Sequence, residues 1–269
     1  MRPTATRVSI DWLMLRRAAD EHAREPASGL AADLAAFLRT RRPQGQSELV
    51  DVGAGTGSGA EWLAARITGP QRWRLIDHDS DLLARAKPAA DGWAEPVIAD
   101  LLSLATILTY EPADAVTCQA LLDLLTMDDL RALLEPAISC GAAVLASLTV
   151  NGVTHLTPAH PDDEMVVAAF NAHQRRGGRL GPDAAGAAAN ILRAAGYVVT
   201  SAATPWRLGL GEEALIEEWL RGRAHAATEQ LPDSAGRIRQ WFNDQMTALH
   251  GGGLSAVVDH LDVLGLPPE

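Results

Sequence analysis

The sequence predicts an α/β fold in which helices cover both faces of a mostly parallel sheet. From Leu49 onward, short apolar stretches of strand length alternate with segments of helical periodicity. Such alternation is typical of parallel sheets whose strands are joined by helical crossovers. The first strand also runs into a glycine-rich turn, residues 53–59, and then into a helix. In sheets of this kind, ligands bind at the carboxyl ends of the strands.

The individual elements follow from the positions of caps, turns and apolar runs. Residues 1–42 read as helical, with Ser9 or Asp11 as the cap of a first helix that reaches about Arg24. A Pro-Gln-Gly-Gln turn at 43–46 precedes the first strand. The predicted strands are Leu49–Val52, Trp73–Ile76, Pro96–Ile98, Asp114–Cys118, Ala142–Thr149, Tyr197–Ala203 and Ser255–Leu264. The later predicted helices are Ala60–Ile67, Ser80–Ala86, Met127–Ile138, Met165–Phe170, 181–195, Glu212–Ala226 and Ser234–Leu249, and the regular pattern breaks over 151–179.

Composition excludes several classes of function. The 269 residues carry a formal net charge of −11, which argues against a general nucleic-acid surface. The longest apolar run, Ala142 to Val150, is too short to cross a bilayer. The two cysteines, Cys118 and Cys140, have no nearby histidine pairs, so no metal site is expected. With no signal-peptide pattern, we expect a cytoplasmic protein.

The glycine-rich turn is the most informative segment, reading Asp51-Val52-Gly53-Ala54-Gly55-Thr56-Gly57. Glycines let the backbone turn sharply and approach a ligand closely. The free N–H groups at the start of the following helix suit a negatively charged group. A nucleotide-type cofactor is therefore expected. Gly55-x-Gly57-x-x-Ala60 also satisfies the relaxed dinucleotide fingerprint, so two cofactor classes compete.

An acidic residue two places before the first glycine favours the other class. Asp51 occupies that position in an otherwise apolar strand, and a buried acid needs partners. The segment resembles the first motif of the class I S-adenosylmethionine-dependent methyltransferases, which is an acid, an apolar residue and then Gly-x-Gly-x-Gly. The resemblance extends over four ordered motifs, from Leu49 to Asp123. It implies S-adenosylmethionine as the cofactor.

Further acids end the next two strands. Asp77 follows the glycines by about the spacing expected for a ribose-binding carboxylate. In the family, an acid at the position of Asp100 accepts a hydrogen bond from the adenine amino group. The cofactor-binding residues that the resemblance implies are Asp51, Gly53, Ala54, Gly55, Gly57, Asp77, His78, Asp100, Leu101 and Gln119. Plainer roles remain open, such as helix caps or solvated loop acids, and Asp79 is the better cap candidate.

The resemblance also implies a domain plan. The family fold is a Rossmann-like, doubly wound, mostly parallel sheet of seven strands in the order 3-2-1-4-5-7-6, here with N-terminal and inserted helices. Residues 1–42 are then a helical cap of the site, and residues 43–269 the methyltransferase domain. Helical insertions are expected near 151–180 and 207–254.

The catalytic and acceptor-binding residues are less sharply marked. Methyl transfer needs alignment and exclusion of water, and a base only for some nucleophiles. The catalytic candidates are His155, His173 and Asp123. The candidates for binding the acceptor are Asn171, Arg175, Arg207, Trp12 and Arg16. For each of them, packing or a solvated surface is the plainer alternative.

The sequence therefore predicts a methyltransferase that acts on a small molecule. The motif Asn/Asp-Pro-Pro-Tyr, found in many amino-group methyltransferases, is replaced by Cys118-Gln119-Ala120-Leu121. This favours O-methylation, with N- or C-methylation open. The rivals are an NAD(P)-dependent oxidoreductase and a non-catalytic protein that binds S-adenosylmethionine. We expect no nucleic-acid or membrane partner, and either a monomer or a homodimer.

Overall fold

The computed structural model describes residues 8–86 and 92–268, with only the backbone of residues 92 and 93. Residues 1–7 of the predicted N-terminal helical segment lie outside the described residues. The strands are β1 (Ser47–Val52), β2 (Gln71–Asp77), β3 (Gly92–Ile98), β4 (Ala115–Gln119), β5 (Ala143–Thr157), β6 (Val198–Ala203), β7 (Trp206–Leu208) and β8 (Ser255–Leu266). The helices are α1 (Ile10–Arg24), α2 (Ser28–Arg41), α3 (Ser58–Ala64), α4 (Ser80–Leu83), α5 (Leu104–Tyr110), α6 (Met127–Ser139), α7 (Asp163–Gln174), α8 (Ala184–Ala194), α9 (Glu213–Gln230) and α10 (Ala235–His250).

All eight strands join one sheet, in the order β3-β2-β1-β4-β5-β8-β6. The pairs from β3 to β5 are parallel, whereas β8 is antiparallel to both β5 and β6. The predicted Rossmann-like order is therefore confirmed, with β8 as the strand inserted between the fifth and sixth. One strand was not predicted: β7 has three residues and pairs with the first half of β8.

The fifth strand continues well beyond its predicted end at Thr149. It reaches Thr157, which lies opposite Ser255 of β8. The Asn151-Gly152 pair suggests a turn, but here it produces an irregularity in the register between Val150 and Thr154. Gly152 takes a φ of +84°, and a Cβ on it would lie 2.8 Å from Nδ2 of Asn171. The strand thus continues through a distortion that a glycine relieves.

Three apolar clusters fix the helices on the sheet. One packs α5, α6 and α8 against the face that includes Val50 and Val116. A second packs α2 and α3 against the opposite face, around Leu49 and Trp73. The third lies on the long extension of β5 and β8, under α1, α7, α9 and α10. The predicted helical insertions therefore cover the part of the sheet beyond the glycine turn.

The two N-terminal helices are held at both ends. The Ser9 side chain accepts a hydrogen bond from the backbone N–H of Trp12, as predicted for a cap of α1. At the end of α2, the guanidinium groups of Arg41 and Arg42 lie 2.9 and 3.0 Å from the fully buried carboxylate of Asp114. The longest described helix, α9, has 18 residues. No helix among the described residues has the length and apolar character that a membrane span requires.

Candidate active site

The glycine turn joins β1 to α3 through three residues with positive φ. Gly53, Gly55 and Gly57 have φ values of +66°, +54° and +76°, which residues with a Cβ rarely adopt. A Cβ on Gly53 would lie 3.1 Å from Cδ2 of Leu121, and one on Gly57 would lie 3.1 Å from Cβ of Ala86. The turn therefore needs glycine for its backbone conformation and for its close neighbours.

Asp77, the last residue of β2, is hydrogen-bonded to this turn. Its Oδ2 accepts from the backbone N–H of Gly55 at 2.8 Å, and its Oδ1 accepts from the N–H of Asp79 at 2.9 Å. The His78 ring lies 3.3 Å from the same carboxylate. Asp79 in turn caps α4 by accepting from the N–H of Asp81, as the sequence predicts. Asp77 thus holds the end of β2 against the glycine turn.

Asp51 is buried in the middle of the sheet edge. Thr117 is its direct neighbour on β4 and donates a hydrogen bond of 2.6 Å to Oδ1 of Asp51. Burial raises the pKa of Asp51 to about 7, although the Thr117 hydrogen bond and the charge of Arg24 both lower it. Burial also raises the pKa of the Cys118 thiol, so Cys118 is an inert core residue.

The third acid, Asp100, lies two residues after β3. Its Oδ1 accepts from the backbone N–H and the hydroxyl of Ser103, at 3.0 and 2.8 Å, and so caps a short 3-10 turn over residues 101–103. Leu101 packs partly buried against the first apolar cluster. Because Asp77 lies opposite Ile98 in the register, the acids that end or follow β1, β2 and β3 share one edge of the sheet.

Helix α1 is fastened to this edge by a buried polar network. Gln119, at the end of β4, accepts from Nη1 of Arg24 at 2.7 Å and donates to Asp20 at 3.2 Å. Asp20 also accepts two hydrogen bonds from Arg16 and one, at 2.9 Å, from the Trp206 indole. Burial lowers the pKa of Arg24 to about 10. The sequence analysis missed Asp20, Arg24 and Trp206. Their only local signal is the opposite charge of Asp20 and Arg24, which lie four residues apart on one helix.

The first turns of α1 lie over the glycine turn. A Cβ on Gly55 would be 3.6 Å from Cδ1 of Leu13. The Arg16 guanidinium lies 5.0 Å from the ring centre of Trp206 and 6.0 Å from that of Trp12. The two indole rings are 6.3 Å apart. Trp12 and Arg16, both predicted from the sequence, therefore lie on the helix that contacts the turn.

Asp123 follows β4 in a short 3-10 turn and is largely buried. Burial raises its pKa, while the charges of Arg16 and Arg179 lower it. Its Oδ2 accepts a hydrogen bond of 3.4 Å from Gln174 at the end of α7. The structure thus brings Asp123 close to Arg16 on α1 and to the end of α7.

The remaining candidates are more dispersed. His155 is exposed on β5, opposite Val257. His173 lies 2.8 Å from Glu229 in a surface hydrogen bond, and Arg175 forms a surface ion pair with Asp183 through two hydrogen bonds. Asn171 donates to the carbonyl of Gly152 at 2.8 Å. Arg207, exposed on β7, lines a cavity of about 270 Å³ together with residues of α1 such as His22.

One comparison with known proteins matches part of this chain. Residues 49–142 match the family model described as a methyltransferase domain. The match covers less than half of the chain, from β1 to the residue before β5. The sequence-based resemblance to class I S-adenosylmethionine-dependent methyltransferases is thereby confirmed, and S-adenosylmethionine is the cofactor of that superfamily. A comparison with curated protein sequences finds no significant match.

Three solved structures with similar folds are distant from this chain in sequence. An S-adenosylmethionine-dependent methyltransferase from Thiobacillus denitrificans, bound to S-adenosylhomocysteine, is 16% identical with a TM-score of 0.47, covering 96% of this chain and 98% of its own. Another from Geobacter sulfurreducens, also with S-adenosylhomocysteine, is 14% identical with a TM-score of 0.45 and coverages of 97% and 99%. A cyclopropane-fatty-acyl-phospholipid synthase-like protein from Lactobacillus casei is 12% identical with a TM-score of 0.48 and coverages of 93% and 99%.

Proposed function

We propose that this methyltransferase domain protein transfers a methyl group from S-adenosylmethionine to a small molecule. The observation that carries the proposal is the hydrogen bond from the Gly55 N–H to Asp77. It joins the glycine turn and the second strand-end acid in one arrangement, next to the buried Asp51 on the neighbouring strand. The ribose hydroxyls of such a cofactor can donate hydrogen bonds to one carboxylate. Its amino-acid group needs a charged partner close by.

Two features of the site fit that cofactor. The glycine turn leaves no room for a Cβ at Gly53 or Gly57, and glycines let the backbone of such a turn approach a ligand closely. Nη2 of Arg24 is buried and has no hydrogen-bond partner among the described residues. Arg24 and Asp51 line a small cavity of about 20 Å³ with Gly59 and Gln119. A guanidinium and a carboxylate there are suited to the two charges of an amino-acid group.

Each predicted cofactor residue then has a role. Asp77, with His78 beside it, accepts hydrogen bonds from the ribose. Asp100 and Leu101 bind the adenine, as the family resemblance implies. Asp51, Gln119 and Arg24 hold the amino-acid end, and the turn residues Gly53, Ala54, Gly55 and Gly57 approach it through their backbone.

When bound, the cofactor supplies an activated methyl group, so the chain has to orient the acceptor and exclude water. Helix α1 does the second task, because Leu13 lies beside Gly55 of the turn and Trp12 and Arg16 lie on the same helix. The N-terminal segment 1–42, which the structure describes from residue 8, is proposed as the cap of the site. Residues 43–269 supply the domain and its helical insertions.

We further propose that an oxygen atom is the methyl acceptor and that Asp123 takes its proton. Asp123 is buried, close to Arg16, and burial raises its pKa toward the range in which a carboxylate is an effective base. His155 and His173 are the alternative bases, and Asn171, Arg175 and Arg207 the further acceptor contacts. The ion pairs of His173 and Arg175 would have to open for those roles.

Calorimetric titration with S-adenosylhomocysteine and, separately, with NAD⁺ tests the cofactor. We expect binding of the first and none of the second. Tight binding of NAD⁺ alone would replace this proposal with the oxidoreductase. Transfer of label from methyl-labelled S-adenosylmethionine to a metabolite extract then distinguishes an enzyme from a binding protein that has no activity.

A further inference from the structure

Arg223 on α9 is a buried arginine without an acidic partner. Arg223 is only 5% exposed, and its guanidinium forms no ion pair with any residue that the structure describes. Its Nε has no hydrogen-bond partner among those residues either. Burial alone lowers the pKa of Arg223 to about 9. At neutral pH the guanidinium is therefore charged, and its burial costs stability that no carboxylate of the described chain offsets.

The guanidinium is held in place by two aromatic rings. It lies 4.2 Å from the ring centre of Phe170 on α7 and 4.1 Å from that of Trp219 on α9. Stacking on aromatic faces fixes the plane of the guanidinium. Its N–H donors then point outward from the edge of that plane. An arginine in that position is prepared to bind a planar anion through two parallel hydrogen bonds.

A second unpaired group lies within reach of the same charge. His260 on β8 is buried, packs at 5.2 Å from the Trp206 ring, and its Nδ1 has no partner among the described residues. Burial and the charges of Arg16 and Arg223 lower the pKa of His260 to about 3. Hydrogen bonds to the backbone of Val258 and Thr204 raise this pKa but do not offset the lowering, so the ring is neutral. By geometry its Nδ1 makes no hydrogen bond to the described residues. Arg16 is neutralised by Asp20, whereas Arg223 has no such partner.

The elements around Arg223 carry further unpaired polar atoms. Oδ1 of Asn171 and Oε1 of Gln174 on α7, and Oγ1 of Thr154 on β5, are buried with no hydrogen-bond partner in the described chain. Helix α7 packs on both α9 and β5. Through Gln174, α7 also contacts Asp123, beside the end of β4. Together with Arg223 and His260, these atoms on adjoining elements are called the polar cluster, and Gln174 connects it to the proposed catalytic carboxylate.

We propose that this cluster binds the methyl acceptor and that the acceptor is a small organic acid whose carboxylate pairs with Arg223. This inference rests on the proposed function and adds the substrate class. A carboxylate supplies the missing counter-charge, and the rings of Phe170 and Trp219 provide apolar contacts for the rest of the molecule. A second polar group of the acceptor can hydrogen-bond to Nδ1 of His260.

The simplest probe pair is benzoate and its neutral analogue benzamide. Both are measured by thermal shift with the full chain saturated with S-adenosylhomocysteine. We expect benzoate to raise the melting temperature and benzamide to leave it unchanged. Equal responses to the two compounds, or no response to benzoate, would overturn the inference.

The variant Arg223→Met tests the residue directly. It keeps the length of the side chain and removes the charge, so we expect benzoate binding to weaken at least tenfold. We also expect the unliganded variant to melt at the same or a higher temperature, because the uncompensated buried charge is gone. A purely structural arginine predicts the opposite, a clear loss of stability with an unchanged benzoate response.

The matched control is Arg221→Met on the same helix. Arg221 is exposed and pairs with Glu217 at 2.7 Å, so its removal should leave the benzoate response as it is in the natural chain. Binding of S-adenosylhomocysteine is measured in parallel for each variant. If it is absent from the natural chain, the proposed function fails. The benzoate response is then measured on the unliganded chain, where its loss in Arg223→Met still supports the anion site and its persistence rejects it.

Discussion

Oδ2 of Asp77 accepts a hydrogen bond from the backbone N–H of Gly55 over 2.8 Å, across 22 positions of the chain. The contact couples the carboxyl end of β2 to the middle of the glycine turn. The same carboxylate supports the turn and is the proposed acceptor for the ribose. Replacing it should therefore change both the geometry of the turn and the cofactor affinity.

Asp77→Ala is expected to weaken binding of S-adenosylhomocysteine strongly. Two hydrogen bonds to a charged acceptor are at stake, each contributing about 1.5–3 kcal/mol. Calorimetric titration measures the loss. Asp33→Asn, an exposed acid on α2, serves as a control and should bind normally. Unchanged affinity of Asp77→Ala would remove Asp77 from the site.

Asp51 should make the unliganded protein less stable as the pH rises. Burial raises its pKa from 3.8 to about 7, so between these values the folded chain binds a proton that the unfolded chain does not. Stability contributed by the bound proton is therefore present below pH 4 and is lost as the pH rises toward 7. A pKa difference of this size corresponds to a loss of roughly 4 kcal/mol in the free energy of unfolding. Urea unfolding across this pH range measures it.

Asp51→Asn provides the comparison for this pH effect. Its amide oxygen can still accept the hydrogen bond from Thr117, and it does not titrate. We expect the variant to be more stable than the natural chain at pH 8 and similar to it below pH 4. If both proteins lose stability in parallel between pH 5 and 8, the titration belongs to another group.

Asp20→Ala should destabilise the protein by about 3–5 kcal/mol, because it removes a buried carboxylate and leaves a partly buried Arg16 without its partner. It also leaves the Trp206 indole N–H without its acceptor. Glu21→Ala, next to it in the sequence, breaks only the exposed pair with Arg17 and should cost less than about 1 kcal/mol. Urea unfolding of the two variants gives both values. Equal losses would show that the Asp20 network does not anchor α1.

Asp123→Asn is expected to lower kcat about 100-fold, the contribution typical of a general base, with unchanged affinity for S-adenosylhomocysteine. The natural enzyme should gain activity as the pH rises through the raised pKa of Asp123, and the variant should lose this dependence. Initial rates over pH and calorimetric titrations provide the two measurements. Asp128→Asn, an exposed acid on α6, is the control.

The histidine candidates are tested in the same assay. If His155 or His173 is the base, its replacement by alanine lowers turnover more than cofactor affinity. If His173 is instead only structural, His173→Ala loses the contact with Glu229. The variant is then slightly less stable but equally active. Full activity of both alanine variants together with a slow Asp123→Asn would leave Asp123 as the remaining candidate.

The parts of the site that the sequence predicts are those determined locally. Positive φ at Gly53, Gly55 and Gly57 is readable because only glycine adopts it readily. The position of Asp77 can be predicted because the acid ends the second strand, at the expected spacing after the glycines. The strand order was inferred from the family resemblance, and it is confirmed. Short connections leave few alternatives for such elements.

Other features depend on contacts between distant segments. Arg24 meets Gln119 across 95 positions, and nothing in either local sequence indicates the partner. That no described residue places an acid beside Arg223 becomes visible only in the packed structure, where α7 and α9 surround it. The continuation of β5 was missed because Asn151-Gly152 imitates a turn, whereas pairing with β8 stabilises the strand beyond it.

The length of β5 also determines how molecules can reach the site. Its 15 residues extend ~50 Å, from beside the start of β4 to the surface beneath α7. Since β5 pairs with β8 over this length, through two shifts of register, the proposed cofactor site and the proposed acceptor site belong to one continuous sheet. Entry must then come from a helix lifting off the sheet. Asp20 and Arg24 anchor α1 to the sheet, so we expect the movement of α1 to limit the rate of cofactor exchange.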